Sequence, residues 1–268
     1  GGISFGTGLL IATVLAIFFS YVAGIRSVMW TDSLQALVMI VASALVAILV
    51  VSELGGFNAM FATVAERKPE MLTVPGPGLF SLQTFIGLTI PWFFFSISNP
   101  QVSQRLFMPE SLGALRWMLL IFLCFGLIYT LVSVIWGFSA FVAFPDLASP
   151  DLATSVLLAS DFVPPVLGVI VMVGILAAAV STIDSILLTL SSMVARDVYG
   201  NVGGDQSDHR QLWVGKLVIP VISLLALGFA ALELSLISIL SVAASAGLVV
   251  TVPAIVGAFF WKRGTSAG

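Results

Sequence analysis

Charge is what this sequence has least of. Of its 268 residues, 9% are Asp, Glu, Lys or Arg, while 59% are hydrophobic. A soluble domain carries about 25% charged residues, and its helices need a polar face toward water. The shortfall argues against an ordinary soluble enzyme. The single cysteine, Cys124, lies inside an apolar run, which excludes an internal disulfide and a thiolate metal cluster. The single histidine, His209, falls in the polar stretch 200–211 and reads as a solvated loop residue, not a proton relay. No phosphate-binding glycine loop, zinc spacing or Ser–His pairing is present. An intramembrane enzyme would need a paired acid or a His beside its Ser and Asp residues, and the apolar runs hold neither. A net charge of -3 gives no reason to expect nucleic acid as a partner. The chain starts Gly-Gly-Ile-Ser without Met, and no basic region precedes its first apolar run. That run is therefore not a signal peptide by pattern, and the chain is expected to be a piece of a longer protein.

What remains is a set of long apolar runs. No charged residue occurs from Trp117 to Pro145, or from Leu234 to Trp261. About 20 such residues cross the hydrocarbon core as a helix. The runs are continuous, whereas a transmembrane barrel shows alternating segments of about 10 residues. Seven spans are predicted: Thr7–Ile25, Ser33–Val51, Leu82–Ser98, Leu119–Phe144, Val166–Ala195, Val214–Leu232 and Leu236–Trp261. If the connections alternate sides, one side receives Arg26, Arg105, Arg116, Arg196, Arg210, Lys216, Lys262 and Arg263. The other receives Arg67 and Lys68 alone. The positive-inside rule makes the first side cytoplasmic. The fold class expected is an all-α, multi-pass integral membrane protein. The long outer connection from Glu53 to Ser81 is expected to form a lid or a short surface helix.

Three stretches carry candidate chemistry. In the fifth span, Ala178, Ser181 and Thr182 stand at i, i+3 and i+4 and share a helical face. Two hydroxyls and a carbonyl there offer three oxygens to a hard cation such as sodium, with a second, unwound helix completing the shell. The same spacing equally lets Ser and Thr bond back to their own helix. Asp184 is a carboxylate within the span, which is costly and by default functional. With Ser181 and Ser185 it repeats the i, i+3, i+4 spacing. Asp32 opens the second span, as either a helix-start residue with Thr31 as a cap or a functional acid. The third span reads Ile90-Pro-Trp-Phe-Phe-Phe-Ser-Ile-Ser-Asn-Pro100. Pro91 and Pro100 disturb the helix, while Ser96, Ser98 and Asn99 add polar groups. Such a break can line a solute cavity, with Trp92 and Phe95 as an aromatic wall, or can be an ordinary kinked helix.

Five stretches together resemble the solute:sodium symporter family, which includes the proline, pantothenate, sialic-acid and sugar symporters. They are Ala23 to Gln35 around Trp30-Thr-Asp32; Asn99-Pro100 through Gln104-Arg105 to Pro109; Ile175 to Ser185; Ala195-Arg-Asp-Val-Tyr199; and Pro253 to Arg263. Each is weak alone, but they occur in the family's order and span nearly the whole chain. The resemblance implies part of the inverted-repeat fold of the leucine transporter. Residues 1–268 then form a single transmembrane transporter domain holding core helices four to ten, without the first three. It implies sodium bound at Ala178, Ser181 and Thr182, and a possible second sodium at Asp32, Asp184 and Ser185 with Ser181. Trp92, Phe95, Ser96 and Asn99 become candidate substrate contacts. Phe95 stands where sugar-type members place a gating tyrosine, and it lacks the hydroxyl. The implied activity is sodium-coupled symport of a small organic solute, an amino acid such as proline or a carboxylate. A transporter-like solute sensor of a signalling protein is the alternative, and a channel a third reading. The partners expected are the solute and the lipid bilayer.

Overall fold

The computed structural model describes residues 4–22, 25–76, 81–202, 207–232 and 241–265. These are almost wholly helical, as lipid demands, because backbone groups in hydrocarbon must be satisfied within their own segment. In chain order the helices are α1 (Phe5–Val22), α2 (Ile25–Glu53), α3 (Gly56–Arg67), α4 (Leu82–Phe93), α5 (Phe95–Ser98), α6 (Pro100–Leu106), α7 (Leu112–Ala143), α8 (Ala153–Leu158), α9 (Pro165–Met193), α10 (Gly200–Val202), α11 (Asp208–Ala230) and α12 (Ser241–Phe260). Short 3₁₀ turns occupy Pro69–Leu72 and Pro150–Leu152, and a π turn, Val194–Tyr199, joins α9 to α10.

Each predicted span finds a helix. Five helices are long and apolar enough to cross a membrane: Val28–Glu53, Leu112–Ala143, Pro165–Val202, Asp208–Ala230 and Val242–Phe260. The other two apolar helices, Gly6–Tyr21 and Leu82–Phe93, are shorter. Residues 236–240 of the seventh predicted span lie outside the described residues, as do 23 and 24 of the first. The protein is thus a multi-pass membrane protein. The most apolar window of α7 is only 6% buried, and Ile121, Phe122 and Leu123 are all exposed. In water such a surface would be an association site; within a bilayer it can stay apolar without cost.

The chain divides into two compact units, one of residues 1–39 and 172–234, the other of residues 40–171 and 235–268. In the first, Ala16 of α1, Leu187 of α9 and Ile219 of α11 form the buried core, with Ile222 against it. In the second, Ala42, Val46 and Val50 of α2 pack with Leu157, Leu158, Val163 and Val171. Lipid is as apolar as leucine, so these contacts hold helices together by close packing and not by transfer from water. A hydrogen bond supplements them: Trp136 donates its indole N–H to the Ser43 carbonyl at 3.2 Å.

The connection after α2 holds the expected surface helix. Gly55 and Gly56 take φ of 84° and 88°, a left-handed turn that other residues adopt only under strain. The turn lays α3 on the end of α7. Met60 and Val64 are fully buried there, Phe61 meets Phe138 edge-on at 5.2 Å, and Arg67 donates to the Val142 carbonyl at 3.0 Å.

Candidate cation and solute sites

α9 carries the three predicted oxygens as a cluster. The Ala178 carbonyl accepts hydrogen bonds from both Ser181 Oγ (3.2 Å) and Thr182 Oγ1 (2.8 Å). Each hydroxyl oxygen therefore lies within about one hydrogen-bond length of the shared carbonyl oxygen. Back-bonding and cation binding are compatible here. A hydroxyl that gives its proton to the carbonyl keeps its lone pairs outward, where a hard cation can meet them. Ser181 is half-buried and Thr182 is exposed, so the cluster presents an open oxygen face.

One turn on, Asp184 and Ser185 turn inward and are buried. Ser20 of α1 donates its hydroxyl proton to Asp184 Oδ1 at 2.9 Å. Asp32 of α2 lies close enough to Asp184 for the two carboxylates to act on each other electrostatically. The reading of Asp32 as a helix-start residue is corrected. α2 begins at Ile25, so Asp32 sits in its third turn, and Thr31 donates to the Val28 carbonyl instead of capping. Asp32 is half-buried there.

The seam between α2 and α9 is fixed at two points. A Cβ on Gly174 would come within 2.6 Å of Met39 Sδ, so Met39 seats closely against the glycine. Asp32 and Asp184 interact electrostatically farther along, so the helices run antiparallel, and Gln35 lies one turn before Met39. Its Oε1 is buried with no hydrogen-bond partner among the described residues. Sequence reading missed both Ser20 and Gln35. Gln35 belongs to a quoted motif, and its place three residues after Asp32 was a usable signal. Ser20 gave none, because only packing brings α1 to α9.

The second unit holds the broken helix. α4 contains Pro91 and ends at Phe93, where the Phe94 N–H reaches the Ile90 carbonyl at a long 3.4 Å. α5 then runs for one turn. Asn99 stops it and caps α6, its Oδ1 accepting from the N–H of Gln101 (3.0 Å) and Val102 (3.4 Å). Pro100 fits the first position of α6, where no donor is needed. Ser103 donates to the carbonyls of Ser96 (3.1 Å) and Ile97 (3.0 Å), and Thr251 of α12 to that of Ser98 (3.4 Å). Side chains thus repair the interrupted ladder, as hydrocarbon requires. Trp92 and Phe95 meet with ring centroids 5.1 Å apart. Trp92 is exposed, and Phe95, Ser96 and Asn99 are half-buried.

The model of the sodium:solute symporter family matches residues 1–268. The chain belongs to that family. Its relatives include sodium/proline symporters of Haemophilus influenzae, 28% identical across 99% of this chain and 55% of the relative, and of Escherichia coli, 26% identical across 86% and 47%. The chain spans about half the length of these relatives. A solved structure of a Na+-coupled sialic acid symporter, substrate-bound and outward-open, superposes with a TM-score of 0.74. It covers 100% of this chain and 58% of that one at 21% identity, a likeness that establishes the fold alone. Family membership and this likeness give the chain part of a leucine-transporter-type fold. Within that symporter frame, the cation candidates belong to the first unit and the solute candidates to the second.

Proposed function

We propose that the chain is the part of a sodium-coupled secondary symporter that holds core helices four to ten in a single transmembrane domain. The observation that carries the reading is the oxygen cluster of α9. The Ala178 carbonyl, Ser181 Oγ and Thr182 Oγ1 supply three neutral oxygens at one point and leave the rest of a sodium shell to another helix. A second sodium sits at Asp32, Asp184 and Ser185, where a buried acid and a half-buried one need a cation to offset their repulsion. The solute is a small amino acid such as proline, or a carboxylate. Trp92 and Phe95 give it an apolar wall, and Ser96 and Asn99 give polar contacts at the break between α4 and α6. The names of the sodium/proline relatives support this class.

The cycle follows from differential binding. Sodium on the α9 cluster favours the outward-open arrangement and with it solute capture, and its inward release follows rocking of one helix bundle against the other. Sodium running down its gradient supplies the work, and the membrane potential adds about 2.3 kcal/mol per charge per 100 mV. The test is saturable radioactive sodium binding to the purified full-length protein. Ser181→Ala with Thr182→Ala should lower its stoichiometry by one sodium while leaving the fold intact. Unchanged binding would remove the cluster from the cation pathway.

A further inference from the structure

The ends of α1, α9 and α11 enclose a cavity of about 550 Å³ that neither the cation nor the solute reading uses. Its floor is apolar, with Leu188 and Ile219. Its rim is polar and carries two cations, Arg196 and Lys216, against one carboxylate, Asp208. Arg196 comes from the π turn, an uncommon widening of the helix that recurs at functional sites. Among the described residues neither cation is engaged in an ion pair. Gln211 adds an amide packed on Gly200, where a Cβ would lie 3.2 Å from its Nε2. Ser192 adds a hydroxyl. The rest of the rim is already committed: Tyr21 donates to the Lys216 carbonyl, Ser20 to Asp184, and Ser191 to the Leu188 carbonyl. All of this lies at the cytoplasmic end, by the distribution of Lys and Arg.

We propose that this cavity seats the phosphate of an anionic phospholipid of the cytoplasmic leaflet. A guanidinium and an ammonium over one pocket suit a phosphodiester, and basic pockets between helices at this level take lipid headgroups. A lipid fits better than free phosphate because the polar rim stands over an apolar floor. Exposed Phe18, Met193 and Leu217 on the same three helices offer acyl chains an apolar surface.

The test is native mass spectrometry of the purified full-length protein with phosphatidylglycerol or phosphatidylcholine of identical acyl chains. Phosphatidylglycerol should be retained preferentially. Arg196→Gln with Lys216→Gln should weaken its retention about 30-fold, about 5-fold per charge removed. The charge-conserving pair Arg196→Lys with Lys216→Arg should keep it, which separates lost binding from lost fold. Equal retention of the two lipids, or full phosphatidylglycerol retention in the Gln pair, would overturn the proposal. Displacement of the lipid by millimolar inorganic phosphate would overturn its lipid half and assign the pocket to a free anion.

Discussion

Ser20 and Asp184, 164 residues apart in sequence, share a 2.9 Å hydrogen bond in the interior of the first unit, with the hydroxyl donating to the carboxylate. The bond ties α1 to α9 at the level of the second cation candidates. Ser20 also lines the cytoplasmic cavity, so one side chain borders both regions. A carboxylate inside a membrane protein needs such a donor, because no water shell is there to replace it.

Ser20→Ala removes the hydroxyl that donates to Asp184 Oδ1. A hydrogen bond to a charged group contributes about 1.5–3 kcal/mol. Thermal unfolding of the purified protein should report a loss of that order, and Ser20→Thr should restore most of it. An unchanged unfolding temperature in Ser20→Ala would show that the bond contributes nothing to stability.

Thr182 is exposed while Asp184 is buried, so a cysteine at 182 should face the cation path. With Cys124→Ala as background, Thr182→Cys should react with a water-soluble thiol reagent. Saturating sodium should slow that reaction several-fold relative to choline. Equal rates in both salts would count against sodium at this face.

Gly174 and Met39 set the approach of α9 to α2. Gly174→Ala should be tolerated, because the obstructing Met39 Sδ ends a flexible side chain that can rotate away. Gly174→Ile should cost about 1–3 kcal/mol of overpacking. Adding Met39→Ala should recover part of that loss, as a double-mutant cycle of unfolding temperatures would read.

Asn99 holds two roles that substitution can separate. Asn99→Ala loses the cap of α6, worth about 0.5–2 kcal/mol, and should lower stability. Asn99→Asp keeps an accepting oxygen and should restore stability. If Asn99 also touches the solute, KM for uptake should rise in both variants; a KM that changes only with stability would assign Asn99 to the cap alone.

The helical spans and the grouping of Ala178, Ser181 and Thr182 were legible in the sequence for a common reason. Apolar length and i, i+3, i+4 spacing are both local properties of one helix. The break at Pro91 and Pro100 was legible in the same way, since proline removes a donor wherever it stands. Of the two readings of Asp32, the helix-start one failed because α2 begins at Ile25. Ser20 and Gln35 joined the site only when α1 and α2 closed on α9, and the cavity over Arg196 and Lys216 exists only where three helix ends meet. The sequence by itself determined which segments leave water, because hydrocarbon accepts only helices of sufficient apolar length. The tertiary structure decided which polar side chains those helices share, because inside a membrane a carboxylate or amide finds its partner across a helix interface and not in solvent.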